Sequence, residues 1–281
     1  MSRPEYIEVE DNVNLHVVDY GEGPTVVFVH GWPLSNAMFE YQYSTLARQG
    51  LRVVGISLRG YGLSDKPYGD YSYDRHADDL KCVFEQIAIV EDAVLCGFSM
   101  GGAIALHYAV KYEGCHITRL ALAGAALPVW TRRDGFDAGH KLSEVNDFIE
   151  LNNTNRPELF KEFGKIFPAE EGALPAGIAD WLNTMHLQSS GYATEQGLIA
   201  LRDTDLREAV EMVSMPTLIL HGKKDKICPF AFAEYIHEHI PESELVSFEN
   251  SGHALFYEEL DKFNEEIVRF AKSEIEQEVV S

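Results

Sequence analysis

The run AVLCGFSMGGA at residues 93–103 most constrains how this chain can fold. Its apolar first half predicts a buried strand, and the residues after it have helix-forming composition. Between the two, the pattern Gly97-x-Ser99-x-Gly101 is typical of a sharp turn that holds a serine in a strained conformation with its hydroxyl exposed. The start of the helix also directs backbone N–H groups and positive partial charge at that serine, which favours a developing oxyanion. Ser99 is therefore a candidate nucleophile; the alternative is an ordinary Gly/Ser loop.

Strand and helix patterns alternate along most of the chain. Apolar runs without in–out alternation are typical of strands covered on both faces. Such runs occur at residues 25–29, 52–56, 93–96, 119–123 and 216–220. Alternation of this kind predicts an α/β fold with a mostly parallel sheet and helices on both faces.

Residues 128–213 interrupt that alternation. They are richer in polar and aromatic residues and carry helix-like segments at 141–151, 157–163, 175–187 and 192–201. We expect residues 1–127 and 214–281 to form one core domain and residues 128–213 to form an inserted helical cap. The cap should lie over the carboxyl ends of the strands, where open α/β sheets bind ligands.

Composition narrows the class of protein. The chain has 281 residues and a formal net charge of −22, which argues against nucleic acid and anionic membrane surfaces as partners. Its four cysteines show no paired spacing and predict reduced thiols of a cytoplasmic protein. The first residues lack the apolar core of a signal peptide, and no run is long enough to span a bilayer. The oligomeric state stays open.

A second loop, His30-Gly31-Trp32, directly follows a predicted strand. An acyl-transfer site needs two backbone N–H donors for its tetrahedral intermediate. If the two strands are neighbours, the N–H groups of Trp32 and Met100 are the candidates for this oxyanion hole. The alternative is a packing loop that contains a buried histidine.

Two further loops carry the groups that a serine nucleophile needs. A serine hydroxyl requires a base, and the base requires an orienting carboxylate. Asp225 closes the segment LHGKKD after one predicted strand, and His253 lies in NSGHALF after the last one. Asp203 and Asp205 are rival acids, but we interpret their segment as the return of the cap to the core.

A metal site is a weaker interpretation. His237 and His239 flank Glu238, but residues two apart point to different faces of a helix, so a solvated surface is favoured. We expect no metal and no cofactor.

Taken together, these segments resemble α/β-hydrolases, and specifically the branch of cofactor-free bacterial haloperoxidases (perhydrolases) and related carboxylesterases. The resemblance covers the core and only the outline of the cap. It implies the α/β-hydrolase fold, with Ser99 as nucleophile, Asp225 as orienting acid, His253 as base and Trp32 and Met100 as oxyanion donors. The motifs that carry it are HGWPLS at 30–35, RGYGLS at 59–64, GFSMGG at 97–102, PTLILHG at 216–222 and Gly252-His253.

Two positions refine the resemblance. Members of this branch usually carry aspartate where this chain has Ser57, two residues before Arg59. We therefore expect the loop near the site to be supported differently in this chain. A serine at position 99 argues against epoxide hydrolases and haloalkane dehalogenases, which use aspartate there.

The expected function is hydrolysis of small carboxylic esters through an acyl-enzyme intermediate. Alternatives are a perhydrolase or cofactor-free haloperoxidase, which Pro33 fits by resemblance, and a lactonase or carbon–carbon bond hydrolase. An alternative of another class is a small-molecule binding protein on the same fold. The candidate lining of an apolar acyl pocket, which could equally be core, is Phe98, Trp130, Ile227 and Leu255, with Trp32 and Phe230 beside them.

Overall fold

The computed structural model describes residue 3 and residues 5–89 and 92–273. The strands are β1 (Tyr6–Glu10), β2 (Val13–Tyr20), β3 (Thr25–Val29), β4 (Arg52–Ile56), β5 (Ala93–Phe98), β6 (Ile117–Ala123), β7 (Thr217–Gly222) and β8 (Ser243–Phe248). The helices are α1 (Glu40–Arg48), α2 (Tyr73–Gln86), α3 (Met100–Lys111), α4 (Leu142–Ile166), α5 (Ala176–Gln188), α6 (Gly191–Asp203), α7 (Arg207–Glu211), α8 (Phe230–His239), α9 (Leu255–Glu258) and α10 (Leu260–Lys272).

The strands form one sheet in the order β1-β2-β4-β3-β5-β6-β7-β8. The pairs β1–β2 and β2–β4 are antiparallel, and every pair from β4 to β8 is parallel. Asn12 has a φ of 62° in the turn between β1 and β2, a conformation that asparagine tolerates. Because β3 and β6 both pair with β5, the loops after these three strands meet at one edge of the sheet.

The sheet is covered on both faces, as its strand sequences predict. All six residues of β5 are buried, which requires packing on each side of the strand. Helix α1 contacts α10, while α3 contacts α2 and α7, and α7 contacts α8. The predicted α/β-hydrolase fold, with a mostly parallel sheet between two helical layers, is confirmed.

The segment 128–213, which we name the insertion, leaves the sheet after β6 and returns before β7. It contains α4 to α7. The sequence predicts two helices at 141–151 and 157–163, whereas α4 is continuous from Leu142 to Ile166 with a kink at Asn155 (φ −153°, ψ 66°). Pro157 explains the kink, since it lacks an N–H and clashes with the preceding turn. At the end of the insertion, α7 packs against α3 and α8 of the core.

At the end of the chain, Glu259 separates the short α9 from α10. In the described ranges, no helix combines the length and apolarity needed to cross a membrane.

Candidate active site

Ser99 occupies the turn between β5 and α3. Its φ of 54° and ψ of −120° lie outside the conformations common for L-residues, as the sequence pattern predicts. Gly97 is required because a Cβ there would collide with the backbone of Gly101. The carbonyl oxygen of Ser99 accepts the N–H groups of Gly102 and Ala103, which anchors the turn on the helix start.

The loop after β3 packs directly against this turn. A Cβ on Gly31 would lie 2.8 Å from the Ser99 Cβ, and a Cβ on Gly101 would lie 2.5 Å from the His30 carbonyl oxygen. Glycine therefore lets the loop and the helix start approach each other closely. Met100 is the first residue of α3, where backbone N–H groups lack an acceptor within the helix. The oxyanion-hole assignment of Trp32 and Met100 stays a prediction that this close approach favours.

His30 has a structural role in that loop. Its ring Nε2 accepts the Leu58 N–H at 3.0 Å, and Nδ1 faces the Gly31 carbonyl oxygen at 2.9 Å. Burial lowers the pKa of His30 to about 4, so the ring is neutral at pH 7. Ser57, the departure from the family pattern, accepts the Asn36 N–H at 3.2 Å through its hydroxyl oxygen. The serine at position 57 thus forms a hydrogen bond with the segment that follows the His30 loop.

Trp32 joins the loop to the insertion. Its indole Nε1 donates to the Thr194 carbonyl oxygen of α6 at 2.9 Å. Its ring packs edge-on against Phe160 and Phe163 of α4, at centroid distances of 5.9 and 5.2 Å. The residue that carries one candidate oxyanion donor is therefore held by two helices of the insertion.

Asp225 lies buried at the carboxyl end of β7 and uses both carboxylate oxygens. Oδ1 accepts the N–H groups of Ile227 and Cys228, each at 2.8 Å. Oδ2 accepts Nδ1–H of His253 at 2.6 Å. Backbone donors of this kind hold a carboxylate in one orientation, so the His253 ring has a fixed partner.

The rival acids are engaged elsewhere. Asp203 pairs with Arg202, and Asp205 pairs with Arg207, both at 2.7 Å. These arginines lower the pKa of both carboxyls, through hydrogen bonds that keep them ionised. Asp225 is the acid that contacts His253.

His253 presents its second nitrogen to the site. The ring packs at a tilt against Phe98, with the centroids 4.7 Å apart, and edge-on against Phe167, with the centroids 5.4 Å apart. Nε2 is buried, and no residue within 5–89 or 92–273 forms a hydrogen bond with it, Ser99 included. Because Nδ1 carries the proton, Nε2 has a lone pair available. Catalytic hydrogen bonds are often formed only in the substrate complex, so this geometry suits a resting general base.

The His253 loop is tied to the insertion by Glu258. One carboxylate oxygen accepts the Ala169 N–H of the insertion at 2.8 Å, and the other accepts the Gly252 N–H at 2.7 Å. The Phe167 carbonyl oxygen also accepts the His253 N–H at 2.9 Å. Burial raises the pKa of Glu258, against the effect of the two N–H donors. We name this arrangement the Glu258 clamp; no local sequence motif indicates it.

Cys228 and His221 also belong to this region, although sequence reasoning assigned them no role. Burial raises the pKa of Cys228 well above its ordinary value, and the charge of Asp225 raises it further. The thiol beside Ser99 is therefore protonated at pH 7. His221 Nε2 donates to the Cys228 carbonyl oxygen at 2.7 Å and lies 3.6 Å from Asp225 Oδ2. Burial lowers the pKa of His221, so it supports the acid loop as a neutral ring.

The four predicted pocket residues are all buried. Phe98 and Leu255 converge with His253 around Gly124, where an added Cβ would meet all three side chains at 3.4 Å. Trp130 and Ile227 lie on the acid side, joined by the hydrogen bond from the indole Nε1 to the Ile227 carbonyl oxygen at 3.0 Å.

Phe230 has a different place. Its ring packs edge-on against His221, 5.8 Å away, and beneath the Lys223 ammonium, at 3.5 Å. Phe230 therefore packs against the segment that leads to Asp225. These contacts are not with the predicted pocket residues around Gly124.

Fold and site together define an α/β hydrolase. The family model of the alpha/beta hydrolase fold matches residues 24–260, and the chain belongs to that family. It is 45% identical over 268 residues to the AB hydrolase superfamily protein YisY of Bacillus subtilis (strain 168), covering 95% of this chain and 99% of that protein.

Two further relatives carry named activities. The bifunctional esterase/perhydrolase DCH of Acinetobacter calcoaceticus is 26% identical, with 95% of this chain and 99% of that protein covered. The solved structure of an esterase (EaEST) from Exiguobacterium antarcticum superposes with a TM-score of 0.92 at 44% identity, covering 95% of this chain and 99% of that one. The resemblance to the esterase and perhydrolase branch is thereby confirmed.

Proposed function

We propose that this protein is a serine hydrolase of small carboxylic esters that works through an acyl-enzyme. The observation that carries the proposal is the His253–Asp225 pair, whose free imidazole nitrogen is buried and whose ring packs against Phe98, the residue before Ser99. The esterase names of similar proteins support the same reaction class. The ester-hydrolysing chemistry follows from what these groups can do.

In the acylation half, Ser99 Oγ attacks the ester carbonyl carbon while His253 Nε2 accepts the hydroxyl proton. Asp225 keeps Nδ1 protonated and stabilises the imidazolium that forms. The negative charge moves to the carbonyl oxygen, which in this proposal accepts the N–H groups of Trp32 and Met100; one such donor contributes on the order of 10²–10³ in rate. The carbon–oxygen bond then breaks, and His253 returns the proton to the leaving alcohol.

In the deacylation half, water replaces the alcohol. His253 takes one proton from water as its oxygen attacks the Ser99 acyl carbon, and the proton returns to Ser99 Oγ when that bond breaks. The products are a carboxylic acid and the free enzyme. The buried Cys228 thiol keeps its proton throughout this scheme because its pKa is raised, so it acts neither as a base nor as a nucleophile.

We further propose that the insertion acts as a cap over this site. Its contacts with Trp32, through Thr194 and α4, and with the His253 loop, through Ala169, support that role. A cap in this position would exclude bulk water and select among substrates.

Hydrolysis of a chain-length series of p-nitrophenyl esters tests the proposal, with wild type beside Ser99→Ala. Hydrolysis by wild type that is lost in Ser99→Ala supports the proposal of a serine esterase. The chain length that is hydrolysed fastest indicates the length of the acyl pocket. If wild type hydrolyses no member of the series, the ester hydrolase proposal is wrong, and saturable ligand binding without turnover would favour a binding protein.

Peracid formation is a second candidate, which the esterase/perhydrolase relative favours. Here a carboxylic acid acylates Ser99 with loss of water, and hydrogen peroxide instead of water attacks the acyl-enzyme to release a peracid. Incubation with acetate and hydrogen peroxide, followed by a bromide-oxidation assay, tests it. Oxidation that requires Ser99 supports this activity, and oxidation equal to the Ser99→Ala background contradicts it.

A further inference from the structure

A cavity of about 540 Å³ lies within the insertion, between α4 and α5 and the chain that joins them. It opens beside the kink of α4. Its apolar wall includes Phe160, Phe167, Leu174 and Leu182, and His186 of α5 lies among these side chains. A volume of this size is typical of small-molecule sites. Besides these side chains, the lining carries two amides and five charged groups: Asn155, Asn183, Glu158, Glu171, Asp180, Lys161 and Lys165.

His186 is the feature of this cavity that calls for a partner. The residue is 2% exposed, and neither ring nitrogen has a hydrogen-bond partner in the part of the chain that the structure describes. Buried polar atoms are normally paired, and leaving one unpaired is destabilising. Burial lowers the pKa of His186 to about 3, so at pH 7 the ring offers one N–H donor and one acceptor.

The surroundings of His186 are aromatic. Its ring lies 5.3 Å from that of Phe160, 5.9 Å from that of Phe163 and 6.5 Å from that of Phe167. A ligand that reaches His186 would therefore bury apolar surface against these rings. Aromatic walls favour flat, apolar bodies and give no stabilisation to an anion.

The charged groups in the lining are three acids, Glu158, Glu171 and Asp180, and two lysines, Lys161 and Lys165. Both lysines are paired with glutamates of α4, at 3.2 and 2.5 Å. The net charge of the lining is therefore negative, which disfavours an anion. The neutral His186 ring and its apolar neighbours do not stabilise a buried cation either, so the occupant that fits is uncharged.

We propose that this cavity binds a small, uncharged, mostly apolar molecule that carries one hydroxyl or amide group, hydrogen-bonded to His186. The molecule is either the part of a substrate remote from its reacting carbonyl or a separate ligand; both have the same chemistry. The site adjoins the candidate active site through two rings, because Phe167 contacts His253 and Phe160 contacts Trp32.

The test uses 2-naphthol, which is fluorescent and neutral at pH 7, and 2-methylnaphthalene, which has the same ring system without the hydroxyl. Wild type should bind 2-naphthol more tightly. His186→Leu should weaken 2-naphthol roughly tenfold, the effect of about one hydrogen bond, and leave 2-methylnaphthalene unchanged. His186→Asn, which keeps a donor and an acceptor, should retain the preference for 2-naphthol.

A second variant locates the probe. Gly164 lines the cavity, and a Cβ there meets no atom within 4 Å, so Gly164→Phe can be accommodated and should block both probes. Circular dichroism checks that each variant is folded. Absence of 2-naphthol binding to wild type, equal affinity for the two probes, or unchanged 2-naphthol affinity in His186→Leu would overturn the proposal.

Two further experiments test this site independently of the proposed function and distinguish a substrate subsite from a site for a separate ligand. Ser99→Ala should bind 2-naphthol as wild type does, whatever its ester hydrolysis; lost binding would place the probe at Ser99 and overturn the proposal. Competitive inhibition of ester hydrolysis by 2-naphthol, dependent on His186, identifies the site as a substrate subsite. An unchanged KM with binding retained identifies a separate ligand.

Discussion

The loops at the carboxyl edge of the sheet and the insertion differ in how their buried polar side chains are held. In the loops, both Asp225 oxygens are engaged, by His253 on one side and by two backbone N–H groups on the other. His253 Nε2 and His221 Nδ1 have no partner in the described residues, but each of these rings is held through its other nitrogen. In the insertion, His186 is equally buried, and neither of its nitrogens has a partner in the described residues. The difference agrees with the two proposals, a fixed base in the loops and a ligand site in the insertion.

The two regions are nevertheless joined at defined points. Trp32 bonds to Thr194 of the insertion, and the Glu258 clamp links Ala169 to Gly252 beside the base. Gly252 fits there because it has no side chain: a Cβ would lie 2.5 Å from the Pro168 carbonyl carbon. Geometry set in the insertion can thus affect the position of His253.

The largest expected effect comes from the loops. Ser99→Ala should reduce kcat for ester hydrolysis by roughly 10⁶, because no other group can form the acyl-enzyme. Adding His253→Ala should cost little more, since the members of such a triad act as one unit. Steady-state rates of the single and double variants measure this. Multiplicative losses would contradict a shared mechanism.

Asp225→Asn should follow with a loss of about 10⁴ in kcat. The amide oxygen can still accept from Ile227 and Cys228, but the NH₂ group then faces His253 and favours the wrong tautomer. The measurement is kcat with p-nitrophenyl acetate, and Asp205→Asn is the matched control, because Asp205 pairs with Arg207. Equal losses in the two variants would remove the assigned role of Asp225.

Glu258→Gln tests the connection between the two regions. One acceptor becomes an NH₂ donor that faces a backbone N–H, so the free energy of unfolding should fall by about 1–3 kcal/mol. Displacement of the His253 loop should lower kcat by up to roughly 10², with little change in KM. The exposed Glu265, substituted in the same way, is the control. A variant that loses stability without losing kcat would restrict Glu258 to a structural role.

The last prediction concerns His186 and the pH dependence of stability, and it leaves the rate of ester hydrolysis aside. Its folded-state pKa of about 3 is below the ordinary value of 6.5, so the unfolded chain binds the extra proton first as pH falls. The contribution of His186 therefore lowers the free energy of unfolding of wild type as the pH falls below 6.5. The slope of this loss approaches about 1.4 kcal/mol per pH unit. Urea unfolding at several pH values should show a shallower acid loss for His186→Leu. Parallel pH profiles for the two proteins would contradict this.

The sequence predicted those parts of the molecule that depend on local patterns. Ser99, Asp225 and His253 each follow a strand in a short motif, and the apolar strands made the sheet and its layers predictable. The Glu258 clamp could not be predicted from a local pattern. Its carboxylate accepts backbone N–H groups from Ala169, which is 89 positions away in the sequence, and from Gly252, which is 6 positions away. The cavity depends on how α4 kinks at Asn155 and packs on α5, which helical patterns alone do not determine.

The central claim is that Ser99 forms an acyl-enzyme. Its most direct test is mass spectrometry of the protein during turnover. Wild type would be mixed with p-nitrophenyl acetate, quenched in acid at short times and digested to locate any adduct. We predict one acetyl group on the peptide that contains Ser99, with slower release of the acetyl group in His253→Ala. Sustained hydrolysis with no adduct on Ser99, or with the acetyl group on Cys228, would contradict the account.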